Sequence, residues 1–268
     1  MKNYAFLCMH ILLMTVQVVD GQKLSCMYED YIYFTDRASI EYREGDVTAS
    51  LKHWKEAMNT GLFPKGRHVA MALQCAVNAD DGDWSKSLAF QLAKGGVPLA
   101  YFERYKAEGW YADFIASARD TMAVAEKQYN FAMRKALLDL RRQDSLTNAT
   151  YHQWVKCENN LTLDEMTRMA AKVYDDFTQL IRQYGFPSEK RMGYYFQEGE
   201  VQDFPLLVVM IHIYQRGNPV LKDQLHSMVC DGVITKTDMS VLVDMRGYGN
   251  NVELEEEMKI RWGKRRCR

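Results

Sequence analysis

The sequence predicts an all-α fold of αα-hairpins packed on a C-terminal helical module. Three observations point there. The chain carries only 5 prolines and 16 glycines beside 16 methionines, a composition suited to helix rather than to turn-rich β structure. Large apolar residues recur at three- and four-residue spacing through most of its length. Gly-Asp pairs punctuate the N-terminal half where helix ends are needed. With 47% hydrophobic and 26% charged residues, disorder, collagen-like repeats and a polytopic membrane protein are excluded. The balance of 34 Lys+Arg against 35 Asp+Glu argues against a chain that grips phosphate backbones, so no nucleic-acid partner is expected.

The N-terminus reads as an export signal over residues 1–22. Lys2 supplies a positive charge, Tyr4 to Val19 is almost wholly apolar, and Asp20-Gly21-Gln22 returns to polar residues. Cleavage is expected near Gly21 or Gln22. An uncleaved anchor is the alternative, but about 16 apolar residues fall short of the roughly 20 that span a bilayer. Charged Lys23 stands where a lipid-attachment motif before Cys26 needs an aliphatic residue. The mature chain is therefore expected in the periplasm or outside the cell, without a membrane span.

Removing that segment takes Cys8 and leaves Cys26, Cys75, Cys157, Cys230 and Cys267. None forms a C-x-x-C pair, so neither a zinc ribbon nor a thioredoxin-type motif is indicated. In an oxidising compartment one or two disulfides are expected, with connectivity open. Cys75 falls on the apolar face of a helix and reads as a buried free thiol. The sequons at Asn148 and Asn160 matter only in a host that glycosylates.

Residues 23–120 form the first module. Val47, Leu51, Trp54 and Met58 make one helical stripe, Val69, Ala72, Leu73 and Ala76 a second, and Trp84, Leu88 and Leu92 a third. Between them lie Glu44-Gly45-Asp46 and Asp81-Gly82-Asp83. A left-handed glycine after one helix and a capping aspartate before the next make two αα-hairpins, 37 residues apart from Gly45 to Gly82. Around Gly45, the positions of Ala38, Ser50, Trp54 and Ala57 resemble the tetratricopeptide (TPR) pattern. The second hairpin keeps Gly82 and Ser87 but has Gln91 and Lys94 at the later positions. Ala76–Gly96, then Tyr101-Phe102 and Trp110–Ile115, resemble the closing hairpin and helices of exported bacterial TPR-type proteins. The resemblance covers roughly residues 30–120 and implies stacked helix pairs. Trp54, Trp84, Tyr101, Phe102 and Trp110 are expected to fill the space between hairpins rather than to line a peptide-binding face.

Residues 121–268 form the second module. A stripe through Met122, Ala125, Tyr129, Met133, Leu137 and Leu140 predicts one helix over Thr121–Arg142, with Ser145–Asn160 as a polar loop. Thr162 and Glu165 have capping-box spacing at the head of the next helix, whose buried face runs through Met166, Ala170, Val173, Phe177 and Ile181. The apolar run Phe204–Ile211, within Asp203–Tyr214, predicts a buried central helix. Leu221–Asp231 and Thr237–Asp244 complete the set, and Glu253–Arg268 reads as a charged helix with a basic end.

The order of Gly185-Phe186-Pro187-Ser188, Met192-Gly193, an apolar run ending in His212, Asp231-Gly232 and Leu242-Val243-Asp244 resembles a domain of unknown function in exported bacterial proteins. It covers about residues 121–250. The chain departs from that pattern at Ile211, Met245 and the early Tyr248-Gly249-Asn250. If the family's polar residues form a site, part of it is missing here.

His212 is the first catalytic candidate, because a histidine ending an apolar helix must have its ring nitrogens satisfied. Asp244, Asp231 and His226 are its candidate neighbours, with Asp244 the preferred partner. Gly61–His68 has P-loop glycine spacing but Arg67 and His68 replace the Lys and Ser/Thr, so it is rejected. Asn78–Asp83 lacks calcium-loop order, and its carboxylates are expected to serve a helix turn. No metal or cofactor is expected. The function expected is protein–protein interaction or assembly in the cell envelope, with a protein partner. The alternative is an enzyme or small-ligand protein with a site around His212 and Asp244; a purely structural solenoid is a third possibility.

Overall fold

A computed structural model describes residues 26–244 other than Pro219. The expected signal segment, Cys8, Met245, Tyr248–Asn250, Cys267 and the charged tail lie outside the described residues. The fold is all-α with one small hairpin of strands. No helix among the described residues is long and apolar enough to cross a membrane.

Helices α1 (Met27–Glu44) and α2 (Val47–Met58) form the first hairpin, and α3 (Gly66–Asn78) and α4 (Gly82–Lys94) the second. Gly45 takes the left-handed conformation at φ +86°, and Asp46 caps α2 by accepting from the Ala49 amide at 2.9 Å. The second turn has the same geometry in a different register from the one expected. Asp80 takes the left-handed position at φ 56°, Asp81 accepts from the Trp84 amide at 3.2 Å, and Gly82 is already helical. The capping aspartates, Asp46 and Asp81, therefore lie 35 positions apart (81 − 46), not 37. In that register Ser50 aligns with Ser85, both fully buried; Ser50 Oγ donates to the Ala38 carbonyl at 2.8 Å.

A 3-10 segment, η1 (Leu99–Tyr105), leads to α5 (Tyr111–Gln128). Helix α6 (Phe131–Val155) then corrects the sequence reading twice. Asn130 ends the expected single helix by accepting from the Met133 amide at 2.8 Å, so α5 and α6 are separate. The expected loop from Ser145 is helical to Val155. The buried stripe of Met133, Leu137 and Leu140 continues through Asp144, Thr147 and Trp154, and the Trp154 indole donates to the Leu161 carbonyl at 2.8 Å. Helix α7 (Leu163–Tyr184) has the expected capping box, with Thr162 and Glu165 bonded reciprocally, and buries Met166, Ala170, Val173, Phe177 and Leu180. Next come α8 (Glu189–Met192) and α9 (Leu206–Gln215), the apolar run that was expected as a buried helix. The 3-10 turn η2 (Lys222–Gln224), α10 (Leu225–Cys230) and α11 (Lys236–Asp244) follow.

Strands β1 (Tyr195–Gln197) and β2 (Glu200–Gln202) were not expected. They pair antiparallel, with Tyr195 opposite Gln202 and Gln197 opposite Glu200. Glu198 and Gly199, at φ 54° and 85°, make the reversal a two-residue turn of positive φ, which matches the twist of paired strands.

Two apolar cores result, and each draws on distant sequence. Tyr28, Tyr31, Ala57 and Leu62 pack with α6, α7, α9 and α10. Tyr194 and Val201 pack with α3, α4, η1 and α5. Trp54, Tyr101, Phe102 and Trp110 are buried as expected, whereas Trp84 is half-buried beneath the Lys55 ammonium, 5.3 Å from its ring centre. Cys26 is disulfide-bonded to Cys230 across 204 residues, Cys157 is disulfide-bonded as well, and Cys75 is a buried free thiol.

Candidate functional site

Two polar constellations interrupt the apolar interior. The first lies between α6 and α9. Asp144 occupies a core position of the α6 stripe and is completely buried. One of its oxygens lies 2.7 Å from His212 Nδ1 and 3.4 Å from Arg141 Nη1; the other accepts from Arg216 Nη2 at 3.4 Å. His212 and Arg216 sit one helical turn apart at the end of α9, so both face α6. One carboxylate thus holds an imidazole and two guanidinium groups. Burial lowers the pKa of Arg216, with the Asp144 charge opposing the shift. Arg216 Nη1 is buried without a hydrogen-bond partner.

His212 retains 15% side-chain exposure, and its Nε2 makes no hydrogen bond among the described residues. With Nδ1 turned to a carboxylate and Nε2 open, the ring can accept or deliver a proton at Nε2 or bind a ligand there. The contact on Nδ1 goes to Asp144, which was not among the expected neighbours. Asp231 is exposed at the C-cap of α10, and His226 is exposed with Nε2 3.9 Å from Cys230 Sγ. Asp244 closes α11, and its side chain lies outside the described residues. Sequence reading missed Asp144 because Arg141-Arg142-Gln143-Asp144 resembles a helix end. The available signal was phase: Leu137, Leu140 and Asp144 continue one stripe, and a carboxylate on a core face needs a cationic partner.

The second constellation centres on a groove of about 1020 Å³. One wall is the Gly61–Arg67 turn leading into α3. Another is the Phe186–Met192 segment. Asp203–Leu207 and the α10–α11 connection complete it. Leu62, Phe63, Phe186, Phe204, Leu207 and Ile234 supply its apolar lining. Lys65, Arg67, Lys190 and Arg191 lie along two of its walls, and Asp231 and Asp238 on the wall formed by α10 and α11. Arg67 is 3.9 Å from Asp203; Lys65, Lys190 and Arg191 make no ion pair among the described residues.

Glu189 lines this groove and reaches into the junction of the two cores. Its Oε2 accepts from the Gly66 amide at 2.9 Å, closing the head of α3, while Oε1 is buried without a partner. Burial drives its pKa up to about 8, the Gly66 N–H opposing that rise, Asp203 adding to it and Lys65 opposing it. The carboxyl is consequently protonated at neutral pH, leaving one O–H to donate. Beside it, the Tyr31 hydroxyl accepts from the Lys65 amide at 3.0 Å and bonds His68 Nδ1 at 2.8 Å. Burial pulls His68 down to about 3, with the Lys65 and Arg67 charges acting in the same direction, so the imidazole is neutral. The Gly61–His68 segment thus leads into α3, and its Gly61, Leu62, Phe63, Lys65 and Arg67 line the groove. No short-range motif flags Glu189, since its hydrogen-bond partner Gly66 lies 123 positions away.

Around the second hairpin turn, Asp81 caps α4 in place of Asp83, the aspartate expected after Gly82, and Lys55 and Lys86 pair with Asp81 and Asp113 at 2.7 and 3.2 Å. No group of carboxylate, histidine and cysteine side chains among the described residues is arranged to hold a metal ion. No protein-family model, curated protein or solved structure matches this chain.

Proposed function

We propose that the chain is an exported binding protein whose helical scaffold holds an extended segment of a protein partner in the groove around Glu189. One observation carries this reading: a groove of about 1020 Å³, built from several separate segments, combines an apolar lining with ionisable groups and a sealed carboxyl. Apolar concavity with a few placed polar groups is the usual make-up of a ligand site. The pair of capped hairpins spaced by 35 residues supports TPR-like stacking (81 − 46). Export to the envelope or beyond accords with the Cys26–Cys230 disulfide.

The inner face of the hairpins is a poorer candidate for the partner, because the protein's own Tyr194–Gln202 segment packs against α3 and η1. The groove can be tested in cells of the source organism. A photo-crosslinking residue replacing Leu207, on the groove wall, should give a discrete adduct. The same residue at Leu146, 64% exposed on α6, should not. Adducts equal at both positions, or none at Leu207, would contradict the reading.

A second reading rests on the His212–Asp144 contact. The oriented imidazole with Nε2 open supports a small-ligand or proton-handling site between α6 and α9. His212→Gln, which keeps a polar group in place, should then abolish a ligand's binding without lowering stability. A variant of unchanged binding behaviour would leave His212 a structural partner of Asp144.

A further inference from the structure

We propose that the segment held in the groove is acidic and apolar in alternation, with one of its carboxylates received by the Glu189 carboxyl and the neighbouring Lys65, Lys190 and Arg191. This inference rests on the groove being the binding site and adds the chemistry of what it binds.

The argument starts from an unmade hydrogen bond. Glu189 uses Oε2 to accept from the Gly66 amide, and Oε1 has no partner although it is sealed from water. A buried polar atom without a partner is costly, by about 1–3 kcal/mol, unless a ligand or water completes it. At neutral pH the acid is protonated, so what it lacks is an acceptor rather than a donor. A ligand ammonium would find the wrong partner there, and the surroundings disfavour it further. Lys65 and Arg67 flank Gly66 in sequence, and Lys190 and Arg191 follow Glu189 directly; all four line the groove. Only Arg67 among them has an ion-pair partner, Asp203, among the described residues.

The acids Asp231 and Asp238 lie on the α10–α11 wall. Asp238 is already engaged, accepting from the Thr235 amide at 2.8 Å as part of the α11 cap. At the carboxyl itself the Asp203 charge outweighs that of Lys65, but Asp203 is paired with Arg67. The cations along these walls without an ion-pair partner among the described residues are therefore Lys65, Lys190 and Arg191, and with the protonated acid they offer hydrogen bonds to a carboxylate. Apolar side chains on the same ligand would meet Phe63, Phe186, Phe204 and Leu207. Alternation of the two residue types is what an extended peptide presents to two different walls.

The groups facing the Glu189 carboxyl also set a pH dependence. They are Lys65 and the Gly66 amide at the head of α3, Asp203 before α9, Tyr31 of α1, and Tyr194. Both tyrosines are raised above their ordinary range by burial and stay neutral through pH 9. As pH rises past about 8, Glu189 loses its proton and turns from a donor to a repelling charge. The Glu189→Gln variant stays neutral and keeps a donor at every pH.

The experiment is fluorescence anisotropy on the full mature chain with three peptides of alternating leucine or phenylalanine and a polar residue. Each carries fluorescein at its N-terminus and an amide at its C-terminus, and the polar residue is glutamate, glutamine or lysine. The glutamate peptide should bind at least about tenfold tighter than the glutamine peptide at pH 7, with the lysine peptide weakest. Lys65→Ala with Lys190→Ala should reduce that preference; Lys190 is exposed and Lys65 half-buried, so the fold should persist, and circular dichroism checks this. Raising the pH from 7 to 9 should weaken wild-type binding of the glutamate peptide and leave Glu189→Gln unaffected. Equal binding of the three peptides overturns the acidic preference while leaving the groove as a binding site. A loss at high pH that Glu189→Gln does not remove overturns the part given to Glu189. Absence of binding by all three removes the support for both readings.

Discussion

The Tyr194 amide donates to the Gly95 carbonyl at 2.7 Å, and the Tyr194 ring occupies the space beside Gly95 where a side chain would stand. A Cβ at Gly95 would lie 2.1 Å from the ring, and one at Gly66 2.6 Å from it. Gln91 donates to the Tyr194 hydroxyl at 3.2 Å, closing the contact from a third side. This docking fixes the β1–β2 segment against the second helical hairpin and, through Gly193 and Met192, positions α8 with Glu189.

Gly95→Ala should therefore destabilise the protein by about 1–3 kcal/mol, the usual cost of overpacking, although Gly95 has an ordinary negative φ that alanine can adopt. In a Tyr194→Ala background the same substitution should cost much less, because the clashing ring is gone. Urea denaturation of the four proteins in this cycle measures the coupling. Additive losses would mean that the cost at Gly95 does not come from the Tyr194 ring.

The Cys26–Cys230 disulfide ties the head of α1 to the end of α10 across 204 residues, so it constrains a very long loop in the unfolded chain. Cys230→Ser with Cys26→Ser should lower stability by about 2–4 kcal/mol under oxidising conditions. Thermal unfolding should show the loss; an unchanged Tm would show that native packing alone holds these ends together.

Stability should be greatest between about pH 4.5 and 6.5 as far as Glu189 and His68 determine it. Glu189 rises from 4.5 to about 8 on folding, so the native state holds an extra proton there and stability falls as pH rises across that interval. His68 drops from 6.5 to about 3, so the unfolded state binds the extra proton and stability falls as pH is lowered through that range. The two slopes, each about 1.4 kcal/mol per pH unit, oppose one another where they overlap. Glu189→Gln should remove the decline above pH 6.5 while leaving the acid limb. A decline of the same slope in that variant would assign it to other groups.

Asp144 neutralises charge in a place water does not reach. Asp144→Ala leaves Arg216 buried without its counter-ion and should cost about 3–5 kcal/mol. Adding Arg216→Met, which removes the orphaned charge, should recover part of that loss. Chemical denaturation of single and double variants checks this; no recovery would place the cost in His212 or Arg141 instead.

How much of this was legible in the sequence follows from how local each cause is. Asp46, Thr162 and the apolar run before His212 act within a few residues, and their helices form where the spacing indicated. Helix α9 is not buried all round, however: Leu206, Val209, Met210, Ile213 and Tyr214 are buried, and Leu207, Val208 and Ile211 only in part. Asn130 also acts locally, but the apolar stripe running across it masked the break it makes. In the second turn Gly82 drew the eye, whereas Asp80 bears the positive φ, since aspartate tolerates that conformation. The site residues are harder. His212 stood out as a polar residue on an apolar helix, but its partner Asp144 lies 68 positions earlier. Glu189 gains its character from burial, Gly66, Asp203 and Lys65, which no spacing rule connects to it.

The central claim is that the groove around Glu189 is where a partner segment binds, and hydrogen–deuterium exchange tests it most directly. Exchange of the wild-type protein would be compared with and without a saturating amount of the glutamate-containing peptide. The account predicts new protection confined to residues 61–67, 186–192, 203–207 and 230–238, the segments that line the groove. Protection centred instead on α6 and the end of α9 around His212, or none at saturation, would contradict it.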